Sequence, residues 1–120
     1  MDTIYHITDR RDWESAQFQG FYSPVSLDLE GFIHCSTPDQ TEETANLYYK
    51  GRVNLVLLCI ETKLVKADLR FEGAASEDSD AKREGLFPHI YGNLNLDAVV
   101  DVVAFPPNTE GKFYLPKDLK

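Results

Sequence analysis

Each of the three histidines in this chain is followed, two residues later, by a hydroxyl side chain. His6 and Thr8 stand in Tyr5-His6-Ile7-Thr8, His34 and Ser36 in Gly31-Phe32-Ile33-His34-Cys35-Ser36, and His89 and Tyr91 in Pro88-His89-Ile90-Tyr91. Strand side chains alternate, so in a strand each imidazole shares a face with its hydroxyl while Ile33 and Cys35, for example, turn the other way. If the strands line one cleft, three imidazoles and three hydroxyls converge there. Imidazole both donates and accepts hydrogen bonds and titrates near neutrality. Such a set suits binding of ribose hydroxyls or phosphate oxygens, and acid–base catalysis. On this reading His34 and His89 are the candidate catalytic residues, and His6, Thr8, Ser36 and Tyr91 the candidate ligand-binding residues. For each histidine, a satisfied structural role in an apolar strand remains the simpler alternative.

Other chemistries compete for the same residues. Three histidines can hold a catalytic zinc with an open position, which makes a metal-dependent hydrolase one alternative. They come from separate segments, however, with no His-x-His or His-x-x-x-His pair and no CxxC. Ser36 as a nucleophile would need His89 as its base, because side chains at i and i+2 of a strand stand roughly 7 Å apart by strand rise and His34 would not reach it. There is no Gly-x-Ser-x-Gly elbow, and alternation turns Cys35 towards the core. Trp13, Tyr48 and Tyr49 read most simply as packing residues. Glu77, Asp78 and Asp80 read as a solvated loop face without calcium-loop spacing.

Composition narrows the classes. A chain of 120 residues fits one domain spanning 1–120, and 42% hydrophobic with 12% aromatic residues argues against disorder. A net charge of −8 argues against duplex nucleic acid as a partner, although Arg10-Arg11 is compatible with a phosphate-bearing small molecule. The two cysteines, Cys35 and Cys59, lie in apolar stretches and are expected as buried free thiols. No signal peptide and no apolar run near 18 residues is visible, so the expectation is a soluble cytoplasmic protein without a membrane partner.

The elements that must position these residues can be read in order. Thr3 to Ile7 forms the first strand. Asp9 caps a helix over Arg10–Gln19, with Trp13, Ala16 and Gln17 at helical spacing and Gly20 as its stop. Phe21 to Glu30 reads as a connection. Thr37, Pro38 and Gln40 make a capping box for a second helix, with Thr41, Ala45, Tyr48 and Tyr49 on one face and Gly51 at its end. The free amides of its first turn would offer an anion site beside the cleft. Val53 to Ile60 is a central strand, and Leu69 and Phe71 alternate with Asp68, Arg70 and Glu72 as in a half-exposed one. Residues 73–85 read as a loop, either a lid or a tolerated insertion. Phe87 to Tyr91, Ala98 to Phe105 and Lys112 to Leu115 complete the strands. The sum is an α+β domain with mostly antiparallel sheets and two short helices.

Three motif segments, with Leu94-Asn95-Leu96-Asp97-Ala98-Val99 after them, resemble the family called domain of unknown function 952. These are Ile4-Tyr5-His6-Ile7-Thr8, Gly31-Phe32-Ile33-His34-Cys35-Ser36 and Phe87-Pro88-His89-Ile90-Tyr91-Gly92. More distantly, the chain is similar to the ADP-ribosyltransferase-like superfamily. Its opening resembles the RNA 2'-phosphotransferase branch in the Tyr-His strand, the helix carrying Trp13, and Gly20. Gly31 to Asn46 resembles the poly-ADP-ribose polymerase pattern, with Ala45-Asn46 in the helix. The similarity implies an ADP-ribosyltransferase-like split sheet and a cleft for NAD or an NAD-derived, nucleotide-like ligand. It also implies that His6 holds a ribose hydroxyl, that His34 to Ser36 form a second motif, and that His89 to Tyr91 form a third. Many transferases carry a glutamate in that third motif. Here there is none, which favours a non-catalytic ligand-binding module as a further alternative to transfer or hydrolysis at ribose or phosphate.

Overall fold

The computed structural model describes residues 2–73, 85–117 and 119. Two three-stranded antiparallel sheets carry the fold. The first has the order β1-β4-β8, from Thr3–Asp9 (β1), Leu55–Glu61 (β4) and Val99–Ala104 (β8). The second has the order β3-β6-β5, from Ile33–His34 (β3), Phe87–Tyr91 (β6) and Asp68–Glu72 (β5). A two-residue pair, Phe21–Tyr22 (β2) with Leu94–Asn95 (β7), makes a third small sheet.

Strand β4 is central and apolar on both faces, as its composition requires. One face, with Val56, Leu58 and Ile60, meets Ile4 of β1, Trp13, and Ile33 and Ile90 of the second sheet. The other, with Leu55, Leu57 and Cys59, packs against Tyr5, Ile7, Ala45, Phe105 and Phe113. The even residues of β1 therefore point into the space between the two sheets, which carries His6 and Thr8 there.

Helix α1, Arg10–Gln19, forms as its sequence predicts. Asp9 Oδ1 accepts the Arg11 amide at 2.9 Å, and Gly20 closes the helix at φ 90°, a backbone region that favours glycine. Trp13 and Ala16 are buried, whereas Gln17 faces solvent. Helix α3, Pro38–Tyr48, also follows its signature, with the Thr37 amide donating to Gln40 Oε1 at 2.9 Å. Thr41 and Ala45 are buried, Tyr49 packs partly, and Tyr48 is exposed.

Two expectations need correction. The stretch before Gly31 contains a further helix, α2, Val25–Glu30, so the described residues hold three helices where two were expected. Pro24 presets its entry, and the Gly31 amide bonds the Ser26 and Leu27 carbonyls at its exit. Its apolar residues Val25, Leu27 and Leu29 alternate at period two and none is buried, so no helical period marks it. The C-terminal Lys112 to Leu115 is not a strand. It docks on α3 by side-chain mimicry of a ladder. Asn46 Nδ2 donates to the Phe113 carbonyl at 3.0 Å, the Phe113 amide donates to Asn46 Oδ1 at 2.9 Å, and the Leu115 amide donates to Glu42 Oε2 at 2.8 Å. The suggested lid falls on residues 74–84, outside the described residues.

Asn46 is thus a tie for the fully buried Phe113. Asn46→Ala leaves that residue's amide and carbonyl unpaired and should destabilise the fold by about 1–3 kcal/mol in urea unfolding. An unchanged midpoint would refute this role.

Candidate functional site

Strand β3 changes partners between the two sheets. Ile33 and His34 pair with Ile90 and His89 of β6. The Cys35 amide still donates to the Pro88 carbonyl at 3.0 Å, but Ser36 exchanges both backbone bonds with Tyr5 of β1, each 2.8 Å. Because the β6 bonds flank the His34–His89 pair, the His34 carbonyl points away from β6. His6 meets it there: His6 Nδ1–H donates to the His34 oxygen at 2.5 Å. On the far side of the ring, His6 Nε2 lies 2.7 Å from the Tyr22 hydroxyl, which lies 2.9 Å from Thr8 Oγ1.

The protonation of this chain follows from burial. Desolvation lowers the His6 pKa to about 4, so near neutral pH the ring is uncharged and its single proton sits on Nδ1. Nε2 then accepts from the Tyr22 hydroxyl, beside Thr8 Oγ1. Burial likewise pushes the Tyr22 phenol well above its ordinary range.

This network forms part of the wall of a cleft of about 580 Å3, a size suited to a small-molecule ligand. Helix α1 contributes Asp12, Ser15 and Gln19. Ser23 to Ser26 close another side, and His34, Tyr49 and Arg52 complete the wall. Asp9 accepts from the Arg11 amide and side chain, which hold its carboxyl below the usual range, and stands 3.7 Å from Arg52. Arg52 lies 5.9 Å from the Tyr49 ring centroid with its side chain half exposed. Ser26 Oγ is buried with no hydrogen-bond partner and belongs to the same wall.

The residues singled out by sequence therefore divide. His6, Thr8 and His34 line this cleft; Ser36, His89 and Tyr91 do not. Ser36 is buried at the handover, its hydroxyl 3.2 Å from that of Thr44. His89 sits beyond His34, ring centroids 5.8 Å apart, stacked at 4.2 Å on Phe32. The first turn of α3 is also outside the cleft wall. Among the described residues no three His, Cys, Asp or Glu side chains converge to hold a metal ion, so the three-histidine zinc geometry is not formed there. Cys35 and Cys59 are free and buried, and burial raises both thiols, Cys59 to about 11.

Sequence reading missed Tyr22, Arg52 and two carboxylates. Glu30 Oε1 lies 2.5 Å from His34 Nε2, and Glu72 Oε1 accepts from His89 Nδ1 at 2.8 Å and from the Tyr91 hydroxyl at 2.6 Å. Those two bonds, Tyr91 first, hold the Glu72 carboxyl below its ordinary value. The i,i+4 spacing of Glu30 and His34 was a readable signal. The alternation of Asp68, Arg70 and Glu72 gave their common face, but not their pairing with the His89 strand.

A family model described as "Protein of unknown function (DUF952)" matches residues 7–102. No curated protein matches the chain. The X-ray structure of protein CC0527 from Caulobacter crescentus is similar at 33% identity and TM-score 0.79, covering 94% of each chain. The solution NMR structure of CC0527 is similar at 33% identity and TM-score 0.75, covering 93% of this chain and 91% of that one.

The low His6 pKa has a consequence for stability. The unfolded ring titrates near its ordinary 6.5, so between pH 6.5 and about 4 the unfolded state takes up a proton that the folded state refuses. Stability present above pH 6.5 should fall by about 3 kcal/mol across that window. Urea midpoints measured from pH 4 to 7 should show this slope reduced in His6→Gln, and an equal slope in both proteins would rule it out.

Proposed function

The chain belongs to the DUF952 family, and from that premise we propose that its cleft binds an NAD-derived or other nucleotide-like small molecule. The observation that carries this reading is the pairing of one half-exposed guanidinium, Arg52, with the Tyr49 ring on a wall that also carries the hydroxyls of Thr8, Ser15, Ser23 and Ser26, the imidazoles of His6 and His34, and the carboxylates of Asp9 and Asp12. A phosphate suits the first, a planar or sugar moiety the second. Thr8 and Ser23 add hydroxyl groups that match ribose. The resemblance of the motif segments to ADP-ribosyltransferase-like proteins supports the NAD-derived class. The buried free thiols support a cytoplasmic setting.

Where chemistry accompanies binding, it is transfer or hydrolysis at ribose or phosphate, with His34 as the acid–base group and Glu30 orienting it. His6 binds and positions; both of its nitrogens are engaged within the protein. That engagement favours a second reading, a binding module without turnover, over catalysis by His6 itself.

Calorimetric titration with ADP-ribose and NAD tests the reading. Binding is expected, and Arg52→Ala and His34→Ala should each weaken it by about tenfold or more, the loss of one charge-assisted hydrogen bond. Absence of binding by either compound would leave the superfamily resemblance a matter of fold alone.

A further inference from the structure

The second sheet carries a row of basic residues of which only His34 also borders the cleft. Register pairs His34 with His89 and His89 with Arg70, so three basic side chains from β3, β6 and β5 stand side by side on one face. In a chain of net charge −8 this grouping stands out. The opposite face, with Ile33, Ile90 and Leu69, packs into the core, so the row lies on the outer face of the sheet, its middle member His89 buried there against the Phe32 ring. The His34 and Arg70 side chains are about half exposed, 44% and 55%.

Each imidazole is held in the same manner. Glu30 takes His34 Nε2, and Glu72 takes His89 Nδ1. The second nitrogen of each ring, His34 Nδ1 and His89 Nε2, has no hydrogen bond to another described residue. A carboxylate on one nitrogen sets the tautomer and orientation and leaves the other nitrogen for proton transfer. The rings meet edge to face, 5.8 Å between centroids at 74°, so both can address one tetrahedral group. The other groups facing them are Phe32, which stacks on His89, and Tyr91, which shares Glu72. Arg70 lies 4.5 Å over the Tyr91 ring and pairs with Asp68 at 2.8 Å.

We propose that the row His34–His89–Arg70 is a phosphate-ester site, in which Arg70 receives the phosphoryl oxygens and the two histidine–glutamate pairs act as base and acid in hydrolysis. His34, on the solvent side, takes a proton from water as the water oxygen bonds to phosphorus. The bond from phosphorus to the ester oxygen breaks, and protonated His89 gives its proton to that leaving oxygen. A phosphodiester and water thus yield a phosphomonoester and an alcohol, with one proton taken up and one released by the protein. This goes beyond nucleotide binding in the cleft, because it requires no nucleoside.

The test is hydrolysis of bis(para-nitrophenyl) phosphate, a probe without a nucleoside, so that its outcome is separate from that of the ADP-ribose titration. Turnover with a bell-shaped pH dependence is expected. His34→Ala and His89→Gln should each lower kcat by about a hundredfold or more, and Arg70→Ala should raise KM. Because His34 is exposed, its variant keeps the test valid even if the buried His89 does not tolerate change. Absence of turnover by the wild-type protein, or an equal rate in His34→Ala, overturns the proposal.

Discussion

The handover of β3 from one sheet to the other is the constraint on which the site depends. A strand that leaves β6 to join β1 must turn a carbonyl towards neither, and a buried carbonyl without a donor is costly. The His6 ring supplies that donor at 2.5 Å. The imidazole thereby stands in for a missing ladder bond, and the space beside the handover becomes the cleft. Tyr22 and Thr8 exist in this account because the ring has a second nitrogen, which also needs a partner once buried.

The same junction separates two kinds of histidine. His6, between the sheets, is desolvated and neutral, and its hydrogen bonds are spent inside the protein. His34 and His89 lie on the outer face of the second sheet, each with a carboxylate on one nitrogen only. Residues that look alike in sequence thus differ in what they have free to offer. His6 organises the wall, whereas His34 borders both the cleft and the basic row and has a nitrogen available for chemistry.

Charge is distributed to match. Three arginines of this acidic chain stand close to acids: Arg11 and Arg52 at Asp9, Arg70 at Asp68. These exposed pairs contribute little to stability. Their effect is to hold guanidinium groups at defined places on a negative surface, where an anionic ligand finds few other partners.

Local signals in the chain were enough to place several elements. Asp9 and Gly20 bounded α1, Thr37-Pro38 opened α3, the apolar run from Val53 to Ile60 marked the central strand that lies at Leu55–Glu61, and Phe87–Tyr91 was a strand. Alternation also placed His6 with Thr8 on one face, since strand period is a property of the backbone. Which faces meet was settled by the packing of the two sheets. Alternation says nothing about partners, so it could not reveal that Ser36 leaves the row of His34, or that Glu72 comes to His89 from a neighbouring strand. Nor could it show that Asn46 is spent on the Phe113 backbone. Helix α2 was hidden for a related reason: its apolar residues Val25, Leu27 and Leu29 alternate at period two and give no helical signal, and the helix is held by Pro24, Gly31 and its neighbours.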